Sequence, residues 1–352
     1  MARKAAVKEA EPVSEPVVAI AAIKAFDADL RCSPNGNSFQ FEIGGTYKTE
    51  GQIVCCSNGF HAVLPDNPLH VWDFYGPVGN DGRLTRYADV VMSGATDTEP
   101  DEAKRGTKIA AAEISVKVEI TLPEFIKRAV TALLDAAKGS KETAASGDSA
   151  KLAASGDSAK LAASGDYATL AASGDYARLA ASGHSAQLAA SGDYATLAAS
   201  GDYARLAASG HSAQLAASGH SATLAASGDS AQLAASGYSA TLAASGDYAK
   251  LAASGHSAQL AASGYSATLA ASGHSAQLAA SGYSATLAAS GQNSVIAASA
   301  PGCTASGADG TWISLAEFVD GKCVGFATGC IGRDGLKPNT AYRARDGKLV
   351  EA

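Results

Sequence analysis

Cys32, Cys55, Cys56 and His61 are the one cluster in the N-terminal part of the chain that could hold a metal ion or supply a nucleophile. Thiolates and imidazole are the usual ligands of zinc, arranged as a tetrahedron. The Cys-x-x-Cys spacing of such sites is missing here. Buried free thiols around a hydrogen-bonded core histidine are the simpler account. Cys55 or Cys56 with His61 could also act as nucleophile and base, but no Asn or Asp that would orient the base is identifiable. No catalytic residue is assigned, and no cofactor is expected.

A second set of chemically capable residues recurs between Gly147 and Gly291, always in the two positions after a Ser-Gly pair. It includes Asp166, Asp175 and Asp193, then His184, His211, His256 and His274, and Tyr167, Tyr176, Tyr194, Tyr238, Tyr265 and Tyr283. Calcium-binding β-rolls need Gly-Gly-x-Gly-x-Asp-x-apolar spacing. Here Asp166 stands four residues before Leu170 behind a single glycine, and histidine or tyrosine replaces aspartate freely. Imidazoles of His256 and His274 could meet on successive coils, but without supporting carboxylates they read as exposed turn residues. Outward Thr-Ala-Ser rows would suit an ice-binding or water-organising face, although Lys, Arg and Gln interrupt them. The tyrosines form a candidate aromatic ladder. Eight Asp against five Lys or Arg leave the array only slightly negative, which argues against mimicry of DNA.

Positioning these residues is the task of one phrase, Leu-Ala-Ala-Ser-Gly-x-x-Ala-x, repeated with almost no drift. A strict short period means a stack of like units. The variable residue before each leucine is often charged and must face water. In a strand the faces then alternate, so Ala168, Leu170 and Ala172 point inward while Ala171 and Ser173 point outward. Ala-x-Leu-Ala-Ala-Ser becomes a six-residue strand and Gly-x-x its turn, with glycine supplying unusual backbone angles.

Six extended residues run roughly 20 Å, whereas three turn residues reach about 10 Å at most. One nonapeptide therefore cannot return to its own start, but two can, giving an 18-residue coil. Gln259 and Gln277, Thr268 and Thr286, and Tyr265 and Tyr283 are each 18 apart, as stacked ladders prefer. An earlier 27-residue recurrence keeps a three-sided coil open, and a nine-residue coil would need a second turn signal. The fold expected is mainly β: a β-solenoid of nonapeptide repeats, its core lined by Leu152, Leu161, Leu170, Leu179, Leu188, Leu197, Leu206, Leu215 and their successors. Coils about 4.8 Å apart would make a rod about 40 Å long.

Residues 1–16 read as a disordered arm, and 17–120 as an α+β head with a short helix from Pro68 to Tyr75. Residues 121–139 read as an amphipathic helix capping the open end of the array, opened by Thr121 and Pro123. The solenoid takes 140–299, and 300–352 a β-hairpin C-terminal cap with Asp320-Gly321, Asp334-Gly335 and Asp346-Gly347 turns. A net charge of −7 and pI near 5.5 exclude a nucleic-acid binder relying on a basic stripe. Neither a membrane span nor a secretion signal is recognisable, so a soluble, cytoplasmic chain is expected.

The head carries Phe39-Gln40-Phe41-Glu42-Ile43-Gly44-Gly45-Thr46-Tyr47, Cys56-Ser57-Asn58-Gly59-Phe60-His61-Ala62 and Arg86-Tyr87-Ala88-Asp89-Val90. With the array behind it and Trp312-Ile313-Ser314-Leu315-Ala316-Glu317 near the end, this resembles phage and prophage proteins built on an N-terminal domain of unknown function. The resemblance implies a phage context and no activity. The expectation is a non-enzymatic phage-associated repeat protein, a rod-like spacer or binding scaffold for a protein or surface partner, with homo-oligomers left open. Its rival is an enzymatic or ligand- or metal-binding head around His61, displayed on the rod. A head without a deep polar pocket at His61 would favour the first reading.

Overall fold

The computed structural model describes residues 19–32, 38–55, 57–65, 68–79, 82–98, 108–122, 124–126, 128–129, 132, 144–333 and 335–352. The N-terminal arm, Cys56, Asp334 and most of 130–143 lie outside the described residues.

Between Lys151 and Ala298 each repeat contributes one short strand, and every strand pairs in parallel with the strand 18 residues away. Leu170 stacks on Leu188 and Leu161 on Leu179. Successive strands alternate between a 12-stranded and an 11-stranded sheet, each completed by C-terminal strands. Two nonapeptides therefore make one coil. About 10 coils span residues 144–315, a rod roughly 48 Å long at 4.8 Å per coil.

Inside, Leu161, Leu170, Leu179, Leu188, Leu197, Leu206 and Leu215 are buried between the sheets with flanking alanines. Leu152, on the first coil, is only partly buried. At about 1.5–3 kcal/mol per buried leucine, this repeated contact is the main source of the rod's cohesion.

Two local expectations need correction. The strands are four residues long, as in Thr169–Ala172, with Ser218 and Ser236 extending two of them to five. The left-handed residue of each turn is also not the glycine. It is the second variable residue, with φ near 57–61° at Ser149, Tyr167, Tyr176 and Ser221. The glycine serves a different need. A Cβ on Gly219 would meet the backbone of Gly201 one coil below, with the carbonyl carbon at 2.6 Å. Only a residue without a side chain lets coils approach this closely.

The head is a β domain of five antiparallel strands: Ile20–Phe26, Thr46–Lys48, Phe60–Val63, Arg86–Thr98 and Lys108–Ile120. The last two are long, pair with each other, and also flank the others, so the sheet closes on itself. Phe26, Met92, Ile114 and Val116 fill its interior. The helix expected at Pro68 is a 3-10 helix over Pro68–Asp73.

The segment after Ile120 starts as its sequence suggests, with Thr121 Oγ1 accepting the Glu124 N–H at 3.4 Å. Its position differs from the expected end cap. Leu122, Phe125, Ile126 and Ala129 join Trp72, Val71 and Tyr87 in one buried cluster with Ala162, Ala180, Ala198, Ala216, Ala234 and Ala252. These alanines point outward from one solenoid sheet. The head thus lies along the flank of the rod, and the rest of the proposed helical stripe (Val130, Leu133, Leu134, Ala137) falls outside the described residues. Gln214 Nε2 donates to the Trp72 carbonyl at 3.0 Å, and Trp72 Nε1 donates to the buried Tyr87 hydroxyl at 2.8 Å.

The C-terminal module ends both stacks with antiparallel strands. Trp312–Val319 extends one sheet and turns back as Lys322–Cys330, while Tyr342–Arg345 and Lys348–Glu351 complete the other. Asp320-Gly321 and Asp346-Gly347 both have positive φ, as two-residue hairpin turns require. Glu317 accepts the Asp346 and Gly347 N–H groups, both at 2.7 Å, and so ties one hairpin to the turn of the other.

Candidate functional site

Three surfaces have the makings of a site: a cavity in the head, the turn columns of the array, and the solenoid sheet that the described residues of the head leave bare.

The head cavity measures about 470 Å³ and is lined by Lys24, Cys32, Phe39, Phe41, Phe60, His61, Phe74, Tyr75 and Lys108, among others. His61 comes from the strand Phe60–Val63 and Lys24 from the neighbouring strand Ile20–Phe26. Lys24 is only 6% exposed, and its ammonium donates to the His61 carbonyl at 2.8 Å. It also lies 5.3 Å and 5.6 Å from the ring centres of Phe41 and Phe26. The Lys108 ammonium sits 4.0 Å over the Phe74 ring.

Burial, then Lys24 and Lys108, depress the His61 pKa to about 4, so its imidazole is neutral at pH 7. Burial, then Cys32, raises the Tyr75 pKa above the ordinary phenol value, leaving its hydroxyl protonated. A cavity that sets Lys24, His61, Tyr75 and Lys108 among mainly apolar side chains is therefore present in the head.

The cysteines are only partly gathered there. Cys32 lines the cavity and its Sγ points toward the Ala25 carbonyl at 3.8 Å. Cys55 is half-buried away from the cavity lining, with its N–H bonded to Asp97 at 2.8 Å, and Cys56 lies outside the described residues. Among the described residues no group of three or more His, Cys, Asp or Glu could hold a metal ion. Sequence reasoning missed Lys24, Lys108, Tyr75 and the phenylalanines. The available signal was Lys24 itself, a charge inside the otherwise apolar strand Ile-Ala-Ala-Ile-Lys-Ala-Phe.

The turn residues form two columns, one along each edge of the rod. Asp166, His184, Tyr238, His256 and His274 stand in one; Asp175, Asp193, His211, Tyr265 and Tyr283 stand in the other. The aspartates are not simply displayed. Each of the eight array aspartates accepts the backbone N–H of the residue 18 positions later, as in His184 to Asp166 at 2.9 Å and Tyr265 to Asp247 at 2.7 Å. They tie one coil to the next at the turn.

Aromatic contacts add to these ties, both where aspartate is absent and beside it. Tyr238 stacks on His256 and His256 on His274, with the last pair at 5.3 Å. Tyr176 and Tyr194 stack at 5.1 Å from the left-handed turn position. Tyr167, Tyr265 and Tyr283 are exposed. His211 lies between Asp193 and Asp229 at 3.9 Å and 3.6 Å.

The bare sheet carries a shallow trough of about 1410 Å³ that runs from Ala153 to Ser299. One outward rank is alanine (Ala171, Ala189, Ala207 and successors) and a parallel rank is serine (Ser173, Ser191, Ser209 and successors). A third, mixed rank before each leucine runs Lys151, Thr169, Gln187, Arg205, Thr223 and Thr241. The trough ends against Phe326, which is 57% exposed, and exposed Val295 and Trp312 pair in register beside it.

Among the described residues no helix is long and apolar enough to cross a membrane. Residues 20–128 match a family described as a domain of unknown function (DUF7666), so the head is similar to that domain. No curated protein and no solved structure matches the chain.

Proposed function

We propose that the chain is a non-enzymatic repeat protein of phage or prophage origin, a rod-like scaffold whose bare sheet receives a protein partner. The trough carries this reading. The same outward alanine rank occurs on both sheets, and on one of them it is buried beneath the head's aromatic residues. A second apolar surface of the same geometry suits a second docked body, with Val295, Trp312 and Phe326 as bulky anchors at its end. Partner recognition through a few aromatic anchors beside a flat small-residue face is the usual economy of protein interfaces. The resemblance of head, array and tail to phage proteins supports the phage context, within the bacterial cytoplasm or the virion.

The test is association of the full chain with purified particles or lysogen extracts, wild type against Ala225→Glu with Ala243→Glu. Both alanines line the trough. Loss of association with an unchanged circular dichroism spectrum fits the scaffold. Association that survives both charges removes the trough from the mechanism.

A second reading is favoured by the cavity at His61: the head binds a small ligand and the rod displays it. Under this reading His61→Ala impairs biological function while the solenoid stays intact. Under the scaffold reading alone it does not.

A further inference from the structure

We propose that the cavity at His61 binds a small organic anion with a flat, apolar body; the inference rests on the reading of the head as a ligand-binding domain and adds the class of ligand. Lys24 is the main argument. A lysine ammonium has three donors, and a buried one without a counter-charge is costly. Among the described residues it makes a single hydrogen bond, to the His61 carbonyl, and no carboxylate pairs with it. Its remaining company is the faces of Phe26 and Phe41, which attract a cation but cannot neutralise it.

Lys108 lines the same space, and the two ammonium groups together with burial hold His61 in its neutral form. An anionic head beside Lys24 supplies the counter-charge that Lys24 lacks, with Lys108 lining the same space. Tyr75 and His61 both line the cavity and make part of its wall polar. Exposed Phe39 and Phe74 provide walls for a planar apolar body. A volume of about 470 Å³ is that of a small-molecule pocket.

Calorimetric titration of the full chain tests this with benzoate, phenyl phosphate and indole-3-acetate, each against a neutral counterpart (benzamide, benzyl alcohol, indole-3-acetamide). At least one anion binds more tightly than its neutral counterpart. Lys24→Met raises its Kd roughly tenfold or more, as loss of a charged hydrogen-bond partner does, and leaves the neutral compound little affected. Should Lys24→Met fail to fold, Lys108→Met provides the same comparison from the less buried side of the cavity. Neutral compounds binding as well as the anions, with neither lysine variant changing the preference, would overturn the anion assignment and leave a ligand-binding head. Absence of binding by either set would overturn both.

Discussion

The same substitution, Gly→Ala, is expected to have opposite effects at two places in the array. At Gly219 a Cβ would meet the Gly201 carbonyl carbon at 2.6 Å and the Asp202 nitrogen at 3.0 Å, both backbone atoms that cannot swing aside. Relief requires the turn to lift away from the coil below. The neighbouring bonds then stretch: His220 N–H to the Asp202 carboxylate and Tyr203 N–H to the His220 carbonyl, each 2.8 Å. Two weakened bonds at about 1 kcal/mol each add to an overpacking cost of about 1–3 kcal/mol. Reduced freedom of the unfolded chain returns about 0.4–1 kcal/mol. The net expectation for Gly219→Ala is about 2–4.5 kcal/mol of local destabilisation.

At Gly147, on the first coil, the added methyl meets nothing within 4 Å. Only the unfolded-chain effect remains, so Gly147→Ala is neutral or slightly stabilising. Hydrogen exchange read by mass spectrometry on the full chain measures both locally, without assuming that head and rod unfold together. Faster exchange in Arg205–Ala208 and Gln214–Ser218, with little change at Lys151–Ala154 in the Gly147 variant, is the expected pattern. Equal effects at the two glycines would refute the close-approach argument.

Ala216 is fully buried under the head, whereas Ala225 is its counterpart on the bare sheet. Ala216→Glu should therefore release the head, costing about 3–5 kcal/mol for an unpaired buried charge, while Ala225→Glu leaves protease resistance at the wild-type level; limited proteolysis separates the two. His61 has a folded pKa of about 4 against an ordinary 6.5, so the unfolded chain takes the proton first. Its stabilising effect is complete above pH 6.5 and is lost as pH falls toward 4. Urea midpoints of the head should decline across that window and His61→Gln should flatten the decline, whereas Glu119 and Asp29, held low by hydrogen bonds from Arg86 and Arg83, begin to lose theirs only below about 4.5 and 3.8. Ser212, Ser221 and Ser230 occupy left-handed turn positions. Replacing each by Asn, which visits that region more readily, should stabilise the rod by about 0.5–1 kcal/mol per site, visible as slower exchange in the adjoining strands.

The coil size was legible because it follows from chain geometry and from ladders such as Gln259 with Gln277. The direction of each side chain was legible for the same reason, since a charged residue beside every leucine fixes the alternation. The role of the glycine was not. A glycine needed for positive φ and one needed for close approach look alike in a sequence. Asn293 and Gly302, at the equivalent turn position just after the array, were the clue that the left-handed residue is the second variable one.

Head docking on the flank was hidden for a deeper reason: the repeats that form the two sheets are nearly identical, so nothing in Ala216 distinguishes it from Ala225. The cavity lay half in view. His61 and Cys32 could be singled out by chemistry, but Lys24 gained its importance only from the strands that bury it.

Alternation of the strands between two sheets sets a parity rule for the length of this protein. Slippage within so repetitive a coding sequence readily adds or deletes nonapeptides. A change by an even number lengthens or shortens the rod and leaves the C-terminal module facing as before. A change by an odd number sends every later strand to the opposite sheet, so Trp312 and Phe326 would move from the bare side to the side occupied by the head. Length variants that keep the arrangement of head, trough and tail should therefore differ by whole coils.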